Sequence, residues 1–210
     1  MTLAEIIAAV RIEIGEPTEG YWRDTQLTRY INDGLRDLND VARVIAVAPL
    51  NYAVGAHSAA LPGDFHEAWV AQWSSGGTQQ PLTNLQSGAI PDTTSRGIPS
   101  GYVATPAALH IWPVPFADGT VTLTYFRRIP ALAVAGDTPI VEERWRTLLV
   151  YYAAGLAKLF AGEPEGPVFM SHYMAGKTQL AQERFAATTL SMNTPNILDT
   201  LEWATSTTPD

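Results

Sequence analysis

The sequence contains no cysteine, which excludes disulfides, thiolate nucleophiles and sulfur-ligated zinc and fits synthesis in a reducing compartment. Charge is sparse as well. Only 16% of the 210 residues are charged, against roughly 25% in an average soluble domain, so part of the surface is expected to be covered by a partner. Basic residues are the scarcer sign: 13 Lys and Arg against 21 Asp and Glu give a formal charge of −8. The longest basic run is Arg127-Arg128, so the clustered phosphate-contacting face of a dedicated nucleic-acid binder is missing. No stretch reaches the roughly 18 apolar residues of a membrane span. Glu5 interrupts the N-terminal MTLAEIIAAVR, where a signal peptide would run uninterrupted after basic residues. These absences predict a soluble, cytosolic chain. Nor is there a GxSxG, HExxH, phosphate-loop or dinucleotide-binding fingerprint.

What the chain does carry is a changing hydrophobic period. Thr2 and Glu5 have the spacing of a capping box, and Leu3, Ile6, Ile7, Val10 and Ile14 follow at helical spacing up to Gly15, which predicts a first helix. Asp24 is placed to cap a second, with apolar positions Leu27, Tyr30, Ile31, Leu35, Leu38, Ala42 and Ile45, bounded by Pro49. From Leu50 to Pro130 the period is two and turn residues are dense, the pattern of short strands. The strongest run over Tyr102–Thr105, Leu109–Trp112 and Val121–Tyr125, the weaker over 51–54, 67–73 and 80–85, with a loop expected over 86–100. Helical spacing returns through Trp145, Leu148, Leu149, Tyr152, Leu156, Leu159 and Phe160, stopped by Gly162-Glu163-Pro164. Pro167 suits the first turn of a fourth helix carrying Met170, Tyr173, Met174, Leu180 and Phe185.

Neither helical pair alone can bury its apolar stripes. The expected fold is therefore α+β: a four-helix bundle core from 1–49 and 131–190, an inserted antiparallel β module over 50–130 closing as a small sandwich or barrel-like sheet, and an extended C-terminal arm over 191–210.

Chemistry is hard to find in this pattern. The histidines, His57, His66, His110 and His172, include no pair at helical ligand spacing. Glu142-Glu143 is the most conspicuous acidic pair, but at the start of a helix it compensates the helix dipole. On the second helix Asp33, Asp37 and Asp40 alternate with Arg29, Arg36 and Arg43 at three- and four-residue spacings. That pattern reads either as a solvated ion-paired face or as a contact with a neighbouring subunit. Trp203 stands in a polar tail beside Ile197, Leu198 and Leu201; it anchors another protein or docks on its own bundle. No catalytic, cofactor or metal residues are assigned.

The order of segments carries a resemblance. LPGDF (61–65), PL (81–82), GIPSGY (97–102), LHIWPVP (109–115), VTLTYFRR (121–128), GDTPI (136–140) and LLVYYAAGLA (148–157) follow the amphipathic helix pair in series. The series resembles the head-to-tail adaptor proteins of tailed bacteriophages over roughly residues 2–185. The resemblance implies a structural, non-enzymatic neck subunit that forms a ring, commonly twelve-fold, between portal and tail. The partners implied are copies of itself, the portal protein and a tail or nozzle protein, with the genome passing through without specific binding. It further implies the virion neck as location, host cytoplasm during assembly, and portal attachment by the chain's end, hence by Ile197, Leu198, Leu201 and Trp203. Ring contacts then fall on the Arg29, Arg36, Arg43 and Asp33, Asp37, Asp40 face. Two other classes stand beside it: a tail-associated carbohydrate-binding module using Trp69, Trp73 or Trp112, and a cell-wall hydrolase, which would need a convergent acidic pair.

Overall fold

The computed structural model describes residues 1–85 and 94–193, with side chains of 187–193 excepted. The chain separates into two compact units, one of residues 1–42 with those from 131 on, the other of residues 43–130.

The first unit holds the four helices found among the described residues: α1 (Leu3–Glu13), α2 (Asp24–Ala42), α3 (Thr147–Phe160) and α4 (Gly166–Asn193). The capping box at the start of α1 is complete, with Thr2 N–H donating to Glu5 Oε2 at 2.8 Å and Glu5 N–H to Thr2 Oγ1 at 3.3 Å. Gly15 takes φ +76° just beyond the helix, the left-handed position that glycine fills without a Cβ penalty. Ile6, Val10, Leu27, Ile31, Leu35, Leu38, Leu149 and Leu180 are fully buried or nearly so, so the stripes legible at helical period do face one core. The helices α3 and α4 approach closely at Gly176, where a Cβ would lie 2.3 Å from Leu148 Cδ2. Before α3, a single 3-10 turn spans Glu143–Trp145. Lys158, 6% exposed, closes the α3–α4 turn: its Nζ lies 2.8 Å from Glu163 and 2.6 Å from Glu165.

The second unit is a sheet with strands β1 (Ile45–Tyr52), β2 (Ser58–Ala60), β3 (Phe65–Ser75), β4 (Thr78–Asn84), β6 (Gly101–Ala104), β7 (Ala108–Trp112) and β9 (Gly119–Arg127) in the order β1-β9-β3-β4-β6-β7-β2. The short strands β5 (Arg96–Gly97) and β8 (Val114–Pro115) form a separate parallel pair. Alternate residues point inward, and Leu50, Tyr52, Ala71, Trp73, Leu82, Tyr102, Leu109, Ile111, Val121, Leu123 and Tyr125 form one buried cluster. Inside it Tyr52 donates to the Leu109 carbonyl at 2.8 Å. The β3–β4 hairpin turns at Gly76 and Gly77, with φ +58° and +84°, the pair of positive values a tight primed turn requires.

The expected four-helix bundle core carrying a small antiparallel insertion is not what forms. Residues 43–130 make a nearly closed, barrel-like sheet of seven strands with a hydrophobic core of its own, so the chain is a mixed α+β protein. The sheet is also not wholly antiparallel, because β4 and β6 pair in parallel through Thr83–Gly101 and Asn84–Tyr102. The expectation made the helices the core and the sheet a small insertion; the inward faces of the seven strands instead bury one another in a core of their own.

A second difference lies at the end of α2. Ile45 keeps the helical period of that segment, yet the helix stops at Ala42, Arg43 takes φ +43°, and Ile45 opens β1 opposite Phe126. The β-branched residues of RVIAV suit a strand, and pairing along β9 outweighs one further helical turn. Pro49 is therefore a residue of β1 and not a helix boundary. At the other end, α4 continues through Asn193; residues 194–210, where the rest of the expected arm falls, lie outside the described residues, as do residues 86–93 of the expected loop.

Candidate functional site

On the exposed face of α2, Arg36 Nη2 lies 2.5 Å from Asp33 Oδ1 and Arg29 Nε 4.0 Å from Asp33 Oδ2. Residues three and four apart meet on one helix face, and the two arginine side chains are 80% and 77% exposed. Asp37 does not join this ladder. It accepts hydrogen bonds from the Tyr173 hydroxyl and, at 2.7 Å, from Lys177 Nζ, both on α4. Burial alone would raise the Asp37 carboxyl; the bonds from Lys177 and Tyr173, with the lysine charge, hold it below the ordinary carboxylate value. Burial, and then the bond to Asp37, pushes the Tyr173 phenol well up. Asp40 follows near the C-terminal end of α2. Arg43 belongs to the other unit, where its guanidinium lies over the Phe126 ring at 5.1 Å. Of the expected six-residue face, Arg29, Asp33 and Arg36 form an exposed ladder, while Asp37 belongs to a clasp between α2 and α4. The tail residues Ile197, Leu198, Leu201 and Trp203 lie outside the described residues.

The acidic pair is occupied. Glu142 is held below the ordinary value first by a hydrogen bond from Arg144, against some desolvation, and then by Arg184. A carboxylate so held is a poor proton donor. His57 and His110 stack with ring centroids 5.8 Å apart, and His172 packs beside Tyr151 at 5.6 Å. Among the described residues no group of three or more His, Cys, Asp or Glu could hold a metal ion. Of the tryptophans considered for sugar stacking, Trp73 is 3% exposed inside the sheet and Trp69 is stacked on Phe126.

Among the hollows of the sheet unit, two differ in character. A cleft of about 310 Å³ beside the β3–β4 hairpin is lined by Trp73, Gly76, Ile98, Pro99, Pro115 and Phe116. Its rim residues Ile98 and Phe116 are 50% and 60% exposed. It suits an apolar side chain. A more polar hollow of about 660 Å³, including Phe65, His66, Glu67, Asn84, Val103 and Arg128, opens where β4 ends while β3 and β6 continue on either side.

One surface escaped the sequence reading because its residues were assigned to helix two. Ile45 and Val47, on β1, are 50% and 61% exposed at the margin of the sheet. The density of β-branched residues in RVIAV was the available signal. What these features share is outward-facing contact chemistry: an ion-paired ladder, an apolar cleft and an open strand. A family model described as SU10 adaptor protein matches residues 1–199 of the chain. No curated protein matches it.

Proposed function

The chain belongs to the SU10 adaptor protein family, a phage head-to-tail adaptor family, and on that premise we propose that it is a neck subunit forming a ring between portal and tail. The observation that carries the proposal is the family match, which runs over residues 1–199 and so takes in both units. Twelve copies is the ring size adopted, and the ring lines the DNA conduit. A subunit with a formal charge of −8 suits that position, since a lumen that attracted phosphate would retain the passing genome.

The surfaces are assigned accordingly. Arg29, Asp33 and Arg36 are proposed as a contact between neighbouring subunits, because they stand together in the exposed ion-paired ladder. Ile197, Leu198, Leu201 and Trp203 are proposed as the portal anchor. The apolar cleft with Ile98 and Phe116 on its rim is proposed to receive a side chain from a tail or nozzle protein.

Light scattering behind a sizing column tests the reading, with the protein alone and after mixing with the portal protein of the same phage. A stoichiometric ring on the portal is expected, lost on deletion of residues 194–210 without loss of fold. Failure to associate with the portal at both low and moderate salt would overturn the assignment.

A further inference from the structure

The N-terminal half of β1 is an open sheet edge whose hydrogen-bonding pattern can be read residue by residue. Arg127 N–H donates to the Val44 carbonyl at 2.8 Å. In an antiparallel ladder this fixes the alternation: Ala46, Ala48 and Leu50 exchange bonds with β9, while Ile45, Val47 and Pro49 turn their backbone groups to the other side. In the strand order β1 has β9 as its one hydrogen-bonded neighbour, and β2, at the other end of the nearly closed sheet, comes near β1 without pairing with it; among the described residues no further backbone bond reaches Ile45 or Val47. Pro49 occupies an open-side position, where a missing N–H costs the ladder nothing.

The side chains along this edge match its backbone. Val47 and Ile45 are exposed, and across β9 on the same face, in the row Val47–Thr124–Val70, Val70 is 39% exposed. From Ile45 to Leu50 the sequence IAVAPL carries no charge. Open edges are ordinarily blunted by lysine or other charges; here proline is the one such device. Two chains of charge −8 can therefore meet along this strand without a like-charge contact.

We propose that β1 pairs with β1 of a second copy of this chain, antiparallel about a two-fold axis through Val47. In that register each Val47 N–H donates to the Val47 carbonyl opposite, and each Ile45 N–H to the Pro49 carbonyl opposite. The Ile45 carbonyl, facing a proline without an N–H, turns to water. Centring the pair on Pro49 instead would set two prolines opposite each other and remove the central bonds, so the proline selects the register. A pair of short strands buries less than the roughly 1,000 Å² of a stable interface, which makes the dimer concentration-dependent. A two-fold contact closes on itself and does not propagate into a ring. The pair is thus a state of the free subunit that covers its open strand, and it stands or falls independently of the adaptor reading.

Sedimentation velocity over a concentration series, with the full chain, tests it. The wild-type protein is expected to pass from monomer to dimer, and Val47→Pro to remain monomeric, since that N–H points away from β9. Val47→Lys is expected to do the same should the proline disturb the strand. Because the chain has no cysteine, Val47→Cys should cross-link as a dimer under mild oxidation. Asn51→Cys, opposite Arg43 in this register, should not. A wild-type protein monomeric throughout, or a dimer unaffected by both Val47→Pro and Val47→Lys, would overturn the pairing. So would equal cross-linking at Asn51, or a monomer whose edge takes up an unrelated extended peptide.

Discussion

Arg11 on α1, only 5% exposed, reaches forward to Asp24 at the start of α2, with Nη2 2.5 Å from Oδ1. The same guanidinium donates to the carbonyls of Thr18 at 3.2 Å and Trp22 at 2.9 Å. One planar group with several donors thereby orders the whole connection between two helices, whose backbone carbonyls otherwise have few partners.

Replacing Arg11 by Met keeps much of the packing of its stem but strands the Trp22 carbonyl. The expected loss is about 2 kcal/mol, mostly from the buried backbone acceptor, because the Asp24 side chain is 57% exposed and its charge is well screened. Arg11→Lys should recover less than half, since an ammonium cannot serve the fork. Urea unfolding measures both; a change under about 0.5 kcal/mol in Arg11→Met would refute the clamp.

The clasp at Asp37 makes stability depend on acid. Its carboxyl lies below the ordinary value in the fold, so its contribution is present above the unfolded pKa of about 3.9 and is lost as pH falls through the lower, folded value. Asp37→Asn should cost about 1 kcal/mol at neutral pH after allowance for screening, the side chain being 41% exposed. The difference from wild type should vanish in strong acid. Parallel stability curves for the two proteins down to the acid limb would show the assignment to be wrong.

Tyr52 acts at the opposite end of the scale. Burial raises its phenol well above the ordinary tyrosine value, so its stabilising share is intact below the unfolded pKa of about 10 and declines as pH rises beyond it. Tyr52→Phe removes the buried bond from the hydroxyl to the Leu109 carbonyl and should lower stability by about 1 kcal/mol near pH 8. Above about pH 10 it should fall less steeply than wild type. Thermal melts across that range supply the comparison, and identical slopes would count against it.

Glycine at position 176 tests the helix packing. An alanine there would bring Cβ against Leu148 Cδ2, and Leu148 is itself 5% exposed with little room to turn. Overpacking of this kind costs about 1–3 kcal/mol, set against a gain in helix propensity of up to about 1 kcal/mol. Gly176→Ala should therefore be net destabilising, and a stabilised variant would mean that Leu148 repacks freely.

How much of this was legible follows distance along the chain. The capping box of Thr2 and Glu5 and the turn at Gly76-Gly77 are local, and their residues alone announce them. Ile45 is the contrary case: it satisfies the helical period of α2, and only its pairing with Phe126, far along the sequence, decides for a strand. The order of the seven strands, with its parallel β4–β6 pair, has the same character, since it depends on which strands meet. On the candidate surface, spacing correctly indicated that Arg29, Asp33 and Arg36 share a face. It could not indicate that Asp37 is committed to Tyr173 and Lys177 on a helix that comes much later in the chain.

That division makes Arg36 the sharpest test of the proposed ring contact. Its partner Asp33 lies on the same helix, and an exposed pair at that spacing contributes about 0.3–0.5 kcal/mol to stability. Arg36→Glu should accordingly leave the melting temperature of the subunit within a degree or two of wild type. If the exposed ladder is a subunit contact, the reversal places a carboxylate beside Asp33 and against whatever acidic group the neighbouring copy offers, and ring formation on the portal should weaken. The deficit should shrink with added salt, because rim charges act through screened fields. Rings assembled by Arg36→Glu with wild-type yield at low salt would remove α2 from the interface. A loss of yield that salt does not relieve would point to altered packing and away from the charge.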